Sequence, residues 1–202
     1  MALKIRILAA LTMLLLSPLI FAEQDPQVLI ETTAAKTIAK LKEQKSALAK
    51  DPAKLYGLVD EYVLPHFDFD RMSRWVLGKN WRKTNAQQQA SFVREFKTLL
   101  VRTYATSLAD YADQEIKFLP FHGDLSSGDV TVKSEISQPG GFPVPINYRL
   151  HKPKGSWKVY DVTIDDISLV ANYRSSFATE IRAKGVDQLI KQMAEKNQKA
   201  MR

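Results

Sequence analysis

The side chains able to carry acid–base or metal chemistry are few in this sequence and widely scattered. Its three histidines are His66, His122 and His151. None follows the short helical spacing that brings two imidazoles onto one metal ion. No cysteine is present, so disulfide bonds and thiolate chemistry are excluded. The histidine spacing favours structural or surface roles and predicts no metal site.

Two pairs of aspartates are the remaining candidates for such chemistry. Asp68 and Asp70 are two residues apart, and side chains at that spacing on a helix do not face each other. An N-cap followed by an acidic residue in the first turn accounts for both. Asp165 and Asp166 are adjacent, but calcium requires roughly six to eight oxygen ligands. With no phosphate-binding loop or nucleophile motif, the sequence contains no recognisable catalytic constellation.

The N-terminus has the composition of an export signal. Lys4 and Arg6 precede an apolar run, Ile7 to Leu16, and Ile20-Phe21-Ala22 then fits a cleavage site. The run is shorter than the ~20 apolar residues of a spanning helix, although an uncleaved anchor is the alternative. We therefore expect a signal peptide over residues 1–22, cleaved after Ala22.

The remaining segment, residues 23–202, is long enough for one domain with a sizeable core. The formal net charge of the whole chain is +7, and loss of the two basic residues of the signal lowers it to +5. This excess suits anionic lipid headgroups or an acidic partner surface. An ordinary lysine-rich surface explains it equally well.

Capping signals divide the first half of the chain into helices. Asp25-Pro26 and Asp51-Pro52 each combine an N-cap residue with proline at the first helical position. A third helix is predicted over Phe69 to Leu77, with Asp68 as its N-cap and Gly78 just after its end.

A longer helix follows. Thr84 and Gln87 have the spacing of a capping box, which predicts that the helix begins there. Its apolar residues recur at helical spacing and form one stripe: Ala90, Val93, Phe96, Leu100, Tyr104 and Leu108.

From Glu115 the apolar period changes from 3.6 to two, which predicts strands. In the last of them, Trp157 to Ile164, the apolar residues shift from odd to even positions. This shift predicts a bulge or a strand covered on both faces. Two helices, Leu169 to Arg182 and Val186 to Lys196, are predicted on either side of Gly185. Helices, then a sheet at about 115–165, then helices predict an α+β fold with helices on an antiparallel sheet.

Several segments, in this order and spacing, carry a resemblance to a known family. They are Phe67-Asp68-Phe69, Val76-Leu77-Gly78, Trp81-Arg82, Phe92 to Phe96, Trp157-x-x-Tyr160-Asp161, Ser168-Leu169-Val170 and Asn172-Tyr173-Arg174. The chain resembles the toluene-tolerance family, the periplasmic phospholipid-binding proteins of the Mla (maintenance of lipid asymmetry) pathway. It departs from the family pattern at Asp166, where relatives usually have glycine.

The resemblance implies a nuclear-transport-factor-2-like (NTF2-like) cone, in which helices and a curved antiparallel sheet enclose an apolar cavity. It implies a periplasmic carrier that moves phospholipid between an outer-membrane lipoprotein–porin complex and an inner-membrane ATP-binding-cassette transporter complex. Such transfer maintains outer-membrane lipid asymmetry and needs no catalytic residue, cofactor or nucleic acid.

The family architecture and the apolar faces together give an expected cavity lining. It comprises Met72, Trp75, Val76, Tyr104, Leu108, Phe118, Val132, Ile146, Tyr148, Val159, Val162, Leu169 and Tyr173. Arg149, Lys152 and Arg174 are expected at the rim, near a lipid headgroup or a partner.

Two other function classes remain open at this stage. One is an enzyme in a cone-shaped domain, with Asp161 and Tyr160 as an acid–base pair. The other is an envelope adaptor with a filled core and no ligand. A buried carboxylate in a polar pocket would favour the first, and the absence of a cavity would favour the second.

Overall fold

The structure of the chain is a computed structural model, and it describes residues 25–51 and 53–199. The predicted signal peptide, residues 1–22, lies outside the described residues. So does Pro52, which forms part of the second predicted helix start.

The described residues form helices before and after a single sheet. The helices are α1 (Pro26–Glu43), α2 (Lys45–Lys50), α3 (Ala53–Tyr62), α4 (Phe69–Leu77), α5 (Ala86–Asp110) and α6 (Leu169–Lys199). The strands are β1 (Ile116–Phe118), β2 (Asp129–Ile136), β3 (Val144–His151), β4 (Lys158–Ile164) and β5 (Ile167–Ser168). Each strand pairs antiparallel with the next along the chain, in the order β1-β2-β3-β4-β5. The predicted α+β class is confirmed.

The helix ends follow the capping residues, with one correction. The Asp68 carboxylate accepts a hydrogen bond from the backbone N–H of Arg71 (2.8 Å), so α4 begins where predicted. The predicted capping box at Thr84 is wrong by one residue. Asn85 and Gln88 form the box that starts α5, each side chain accepting from the other's backbone N–H. The Thr84 hydroxyl instead donates to the preceding turn, at the carbonyl oxygen of Trp81 (2.7 Å).

The parity shift in the last long strand reflects an irregular register. Arg149 lies opposite Asp161, whereas the next residue of β3, Leu150, lies opposite Val159. Tyr160 is therefore an extra residue in β4, and the predicted bulge is confirmed. The extra residue lets Val159 and Val162 both belong to the sheet-side apolar cluster, although their spacing breaks strict alternation.

α6 contains one break. Gly185 has φ 82° and ψ 168°, a conformation that is essentially restricted to glycine. The break confirms that two helical segments meet at this glycine. Residues on both sides of it, among them Phe177 and Leu189, are buried in the cluster formed with α4 and α5.

Phe67 and Asp68, just before α4, cover the part of the β4 edge that the short strand β5 leaves unpaired. Phe67 forms an isolated parallel bridge with Val159, and the backbone N–H of Asp68 donates to the carbonyl oxygen of Val159 (2.8 Å). A second contact joins the Asp68 carboxylate to the Nε2 atom of His151 at the end of β3 (2.8 Å). These contacts fix the start of α4 against the sheet and thereby place Phe69 and Met72.

Candidate functional site

An apolar cavity of about 450 Å³ lies between the sheet and the helices α3, α4 and α5. Its lining contains no charged side chain, and its polar groups are one serine hydroxyl and three tyrosine hydroxyls. The lining residues are Val59, Val63, Leu64, Phe67, Phe69, Met72, Leu100, Val101, Tyr104, Ala105, Ser107, Leu108, Tyr111, Ile136, Val144, Ile146, Tyr148, Val162, Ile164 and Leu169. The arrangement suits a long apolar ligand and offers no acid–base chemistry at neutral pH.

One wall of the cavity is a stripe along α5. The stripe recurs at intervals of about one turn, which places its side chains on one face of the helix. It comprises Leu100, Val101, Tyr104, Ala105, Ser107, Leu108 and Tyr111. The Asn85–Gln88 capping box fixes where this long helix begins.

The opposite wall is the inward face of three strands. Ile146 and Tyr148 on β3 lie directly opposite Ile164 and Val162 on β4, so all four side chains project from the same face. Burial raises the pKa of the Tyr148 hydroxyl above its usual value of 10, partly offset by a hydrogen bond with Ser134. That hydroxyl is therefore neutral throughout the physiological range.

α1 packs against β2, one of the three strands that form this wall. Leu29 and Ile30 of α1 belong to the same buried cluster as Val130, Val132 and Val159. At the other end of the sheet the lining consists of residues such as Ile136, Val144 and Ile164. The inward face is thus a filled core at one end and a cavity wall at the other.

The tyrosine hydroxyls are the polar groups nearest the apolar space. Burial, together with the neighbouring Tyr173 hydroxyl, raises the pKa of Tyr104 to about 12. The Tyr111 hydroxyl accepts a hydrogen bond from Nε2 of Gln138 (3.3 Å), on the loop between β2 and β3. These hydroxyls add hydrogen-bonding capacity to the apolar lining.

The structure brings seven of the thirteen expected lining residues to this cavity. They are Met72, Tyr104, Leu108, Ile146, Tyr148, Val162 and Leu169.

The other six lie elsewhere. Val132 and Val159 face inward, but at the end of the sheet that α1 fills. Phe118 packs half-buried on the edge strand β1. Val76 and Tyr173 pack among the helices, in the cluster of α4, α5 and α6.

Trp75 is the sixth, and it lies outside the cavity altogether. Its side chain is 39 % exposed, and its ring centroid is 5.4 Å from that of Tyr160. The guanidinium groups of Arg71 and Arg149 also lie 5.6 Å and 5.5 Å from the Trp75 ring centroid, so the ring packs on the outer side of α4 and β4, away from the cavity. The periodicity identified the apolar positions but not their partners.

Sequence reasoning missed thirteen lining residues. Phe67 and Phe69 belong to the segments that carry the family resemblance, but nothing in their spacing indicates a cavity. Val101 and Ala105 adjoin the predicted α5 stripe, and a wider apolar face would have included them. Strand alternation identifies Ile136 and Val144 as inward-facing, and this alternation is the sequence signal that could have added them to the expected lining.

The structure does not place the three expected rim residues in the cavity lining. Arg149 alternates with Tyr148 and Leu150, so it projects from the opposite face, where its guanidinium lies 5.5 Å from the ring centroid of Trp75. The guanidinium of Arg174 lies beside Gly78 at the end of α4. The Lys152 ammonium lies 5.9 Å from the ring of Trp157.

The proposed acid–base pair has structural contacts instead. The buried Asp161 carboxylate accepts from the Ser168 hydroxyl (2.6 Å) and from the backbone N–H of Val170 (3.1 Å), at the start of α6. The Tyr160 hydroxyl donates to Asp129 (2.7 Å), and burial is the main cause that raises its pKa to about 12. Neither residue lines the cavity.

The remaining carboxylate pair has a local role in a turn. Asp165 and Asp166 form the turn between β4 and β5, both with positive φ. Among the described residues, no three His, Asp or Glu side chains converge as metal ligands would. Every helix within residues 25–51 and 53–199 is too short or too polar to cross a bilayer.

Comparison with known proteins gives concordant matches. The sequence profile of the family described as MlaC protein matches residues 31–195. The chain is 27 % identical to the intermembrane phospholipid transport system binding protein MlaC of Haemophilus influenzae, over 91 % of this chain and 87 % of that one. It is 26 % identical to the toluene tolerance protein ttg2D of Pseudomonas putida, over 82 % and 77 % of the two chains.

A solved structure is also similar. The phospholipid-binding protein from Ralstonia solanacearum, determined in complex with a phospholipid, superposes with a TM-score of 0.81 and 31 % sequence identity. The match covers 89 % of this chain and 100 % of that one.

Proposed function

This chain belongs to the MlaC family, and we propose on that basis that it is a phospholipid carrier that holds acyl chains in the cavity of about 450 Å³. The uncharged lining is the observation that supports this function most directly. The existence of the cavity favours a carrier over an adaptor with a filled core. The absence of charged residues from its lining favours a carrier over an enzyme that needs a titratable group in its pocket. The family is one of phospholipid-binding transport proteins rather than enzymes.

The energetics of transfer favour such a device. Each methylene removed from water gains ~0.8 kcal/mol, so an acyl chain of about 15 methylenes gains on the order of 12 kcal/mol. Unshielded transfer through water would have to supply that free energy. Exchange between a bilayer and this cavity is apolar to apolar and nearly balanced, so partner proteins must determine the direction of transfer.

The cellular setting is part of the proposal. The predicted signal peptide and the family membership support a periplasmic location. They also support transfer between an outer-membrane lipoprotein–porin complex and an inner-membrane ATP-binding-cassette transporter complex. The lining residues named above, from α3 to α6, would contact the acyl chains.

Solvent extraction of the purified protein, followed by mass spectrometry, tests the function. Wild-type protein should yield phospholipid. Leu108→Glu should yield at least tenfold less, because a carboxylate facing acyl chains is costly to desolvate. Thr103→Glu is the matched control, since Thr103 is exposed on the same helix. Wild-type protein free of lipid, or folded Leu108→Glu with full lipid content, would contradict the proposal.

A further inference from the structure

The loop between β2 and β3, residues 137–143, carries an apolar side chain with almost no intramolecular contact. Phe142 is 93 % exposed, more than any other exposed large apolar residue in the described part of the chain. The loop contains no charged residue, and Pro139, Gly140, Gly141 and Pro143 surround the phenylalanine. Aromatic side chains, phenylalanine among them, are enriched at protein interfaces, where buried aromatic side chains act as anchors.

This loop adjoins the cavity. Ile136 is the last residue of β2 and Val144 the first of β3; they pair with each other, and both line the cavity. Within the loop, Gln138 donates to the hydroxyl of Tyr111, a further lining residue that is itself 37 % exposed. Phe142 therefore lies at the end of the sheet where the cavity wall ends.

A second exposed apolar residue lies at the same end. Ile167, 59 % exposed, follows the turn between β4 and β5 and pairs with Ile164 of the cavity lining. The backbone N–H of Asp165 in that turn donates to the carbonyl oxygen of Pro145 (3.0 Å), so the turn lies beside the start of β3.

Three exposed acidic residues lie on the segments next to these two apolar residues. Asp165 and Asp166 are exposed in the turn, and the exposed Glu115 accepts a hydrogen bond from the N–H of Ser137 through its backbone oxygen. Within residues 25–51 and 53–199, these three carboxylates form no ion pair. Lys117 and Glu135 lie opposite each other in the sheet and balance one another.

We propose that this surface, called here the Phe142 end and formed by Phe142, Ile167 and Tyr111 with the acidic Asp165 and Asp166, docks a protein partner. The partner would carry an apolar pocket for the phenylalanine and a basic rim for the carboxylates. The inference rests on the proposed function, because docking beside the cavity gives acyl chains a path to the partner that avoids water. The acidic residues favour a basic protein surface over an anionic bilayer.

Binding of fluorescently labelled protein to native envelope membranes tests the docking surface. The comparison probes are protease-treated membranes and protein-free vesicles made from the extracted lipids. Wild-type protein should bind the native membranes, and it should bind neither the protease-treated membranes nor the protein-free vesicles. Phe142→Asp should weaken that binding about tenfold or more, because loss of an aromatic anchor removes much of the affinity of an interface.

Val28→Asp is the matched control. Val28 is 50 % exposed and lies on α1, whose neighbouring Leu29 and Ile30 pack at the other end of the sheet. It should bind like wild type. Ile167→Asp provides a second variant at the Phe142 end, and thermal unfolding checks that each protein is folded.

The acidic rim has its own variant. Asp165→Asn with Asp166→Asn removes both charges, while asparagine still tolerates the positive φ values of 48° and 61°. Binding to native membranes should weaken at low salt and approach that of wild type at high salt, where charge interactions are screened.

Two results would overturn the docking surface. One is wild-type affinity in folded Phe142→Asp, and the other is equal binding of wild type to protein-free vesicles, which would make the bilayer the occupant. Lipid content reports separately on the carrier function, and Phe142→Asp should retain the wild-type amount. If wild type carries no lipid yet docks through Phe142, the carrier function fails and the docking surface stands.

Discussion

Asp161 shows how a residue with the chemistry of a catalyst can have a structural role. Its carboxylate is buried, but both of its hydrogen-bond donors come from the start of α6. The contact joins β4 to the helix that follows β5. The Tyr160–Asp161 segment that contributes to the family resemblance therefore fixes the position of α6 relative to the sheet.

Replacing Asp161 with alanine should lower the free energy of unfolding by about 1–3 kcal/mol. The substitution leaves the Ser168 hydroxyl and the Val170 N–H without their acceptor in a buried place. Urea unfolding measures the loss. Asp161→Asn, which keeps one carbonyl acceptor, should lose less. An alanine variant as stable as wild type would show that these bonds do not hold α6 in place.

The histidines make stability depend on pH near neutrality. Burial is the main cause that lowers the pKa of both His66 and His151 below the ordinary value of 6.5; nearby Lys158 adds to the effect at His66, and Arg71 at His151. Since the folded state binds protons less readily than the unfolded state, stability should fall as the pH drops through about 6.5. The loss should level off below the lowered folded-state pKa values.

The double variant His66→Gln, His151→Gln tests this pH dependence. Between pH 7.5 and 5.5 its free energy of unfolding should decrease less than that of wild type, because the carboxylates common to both proteins contribute equally. Chemical denaturation at a series of pH values gives the comparison. Equal slopes for the two proteins would assign the pH dependence to the carboxylates alone.

At the scale of elements, local signals predicted some features well. Asp25, Asp68 and Gly185 gave correct helix ends, because caps and glycine conformation depend on adjacent residues. The start of α5 was placed one residue early because Thr84 and Asn85 are both good N-caps. In the structure the Thr84 hydroxyl donates to the carbonyl oxygen of Trp81 in the preceding turn, which leaves Asn85 as the residue that caps the helix.

The cavity was harder to predict from sequence because it depends on which elements meet. Parity predicts that Val132 and Ile146 both face inward, yet Val132 lies on β2, the strand against which α1 packs, whereas Ile146 on β3 lines the cavity. The position of α1 along the sheet is a tertiary property, and no local pattern encodes it. Arg149 is a different case, because its alternation with Tyr148 and Leu150 already places it on the face away from the cavity, and the expected rim position is inconsistent with that parity.

Two glycines in helices should respond in opposite directions to alanine. Gly57 in α3 has open space around it, so Gly57→Ala should raise the free energy of unfolding by about 0.5–1 kcal/mol. Gly185→Ala should lower it by about 1–3 kcal/mol, because φ 82° with ψ 168° strains any residue with a Cβ atom. Thermal or urea unfolding of both variants provides the measurement. Stabilisation by Gly185→Ala would mean that α6 runs straight through this residue.

At the scale of the whole molecule, the signal peptide predicted from the sequence can be tested directly. The mature protein should start at Glu23, because the apolar run is too short for a stable anchor and Ala22 is a small residue at a suitable cleavage position. N-terminal sequencing of protein from the envelope fraction is the measurement. Retention of Leu14 in that protein would indicate an uncleaved anchor.

The order of the strands has a consequence for the rate at which the sheet forms. Every strand pairs with its neighbour in sequence, so the whole sheet forms within residues 116–168 without waiting for distant segments. Contacts close in sequence require little loop closure and speed folding. The bridge between Phe67 and Val159 is a distant contact and fits a late step, when α4 docks. With no cysteine in the chain, disulfide exchange does not delay folding.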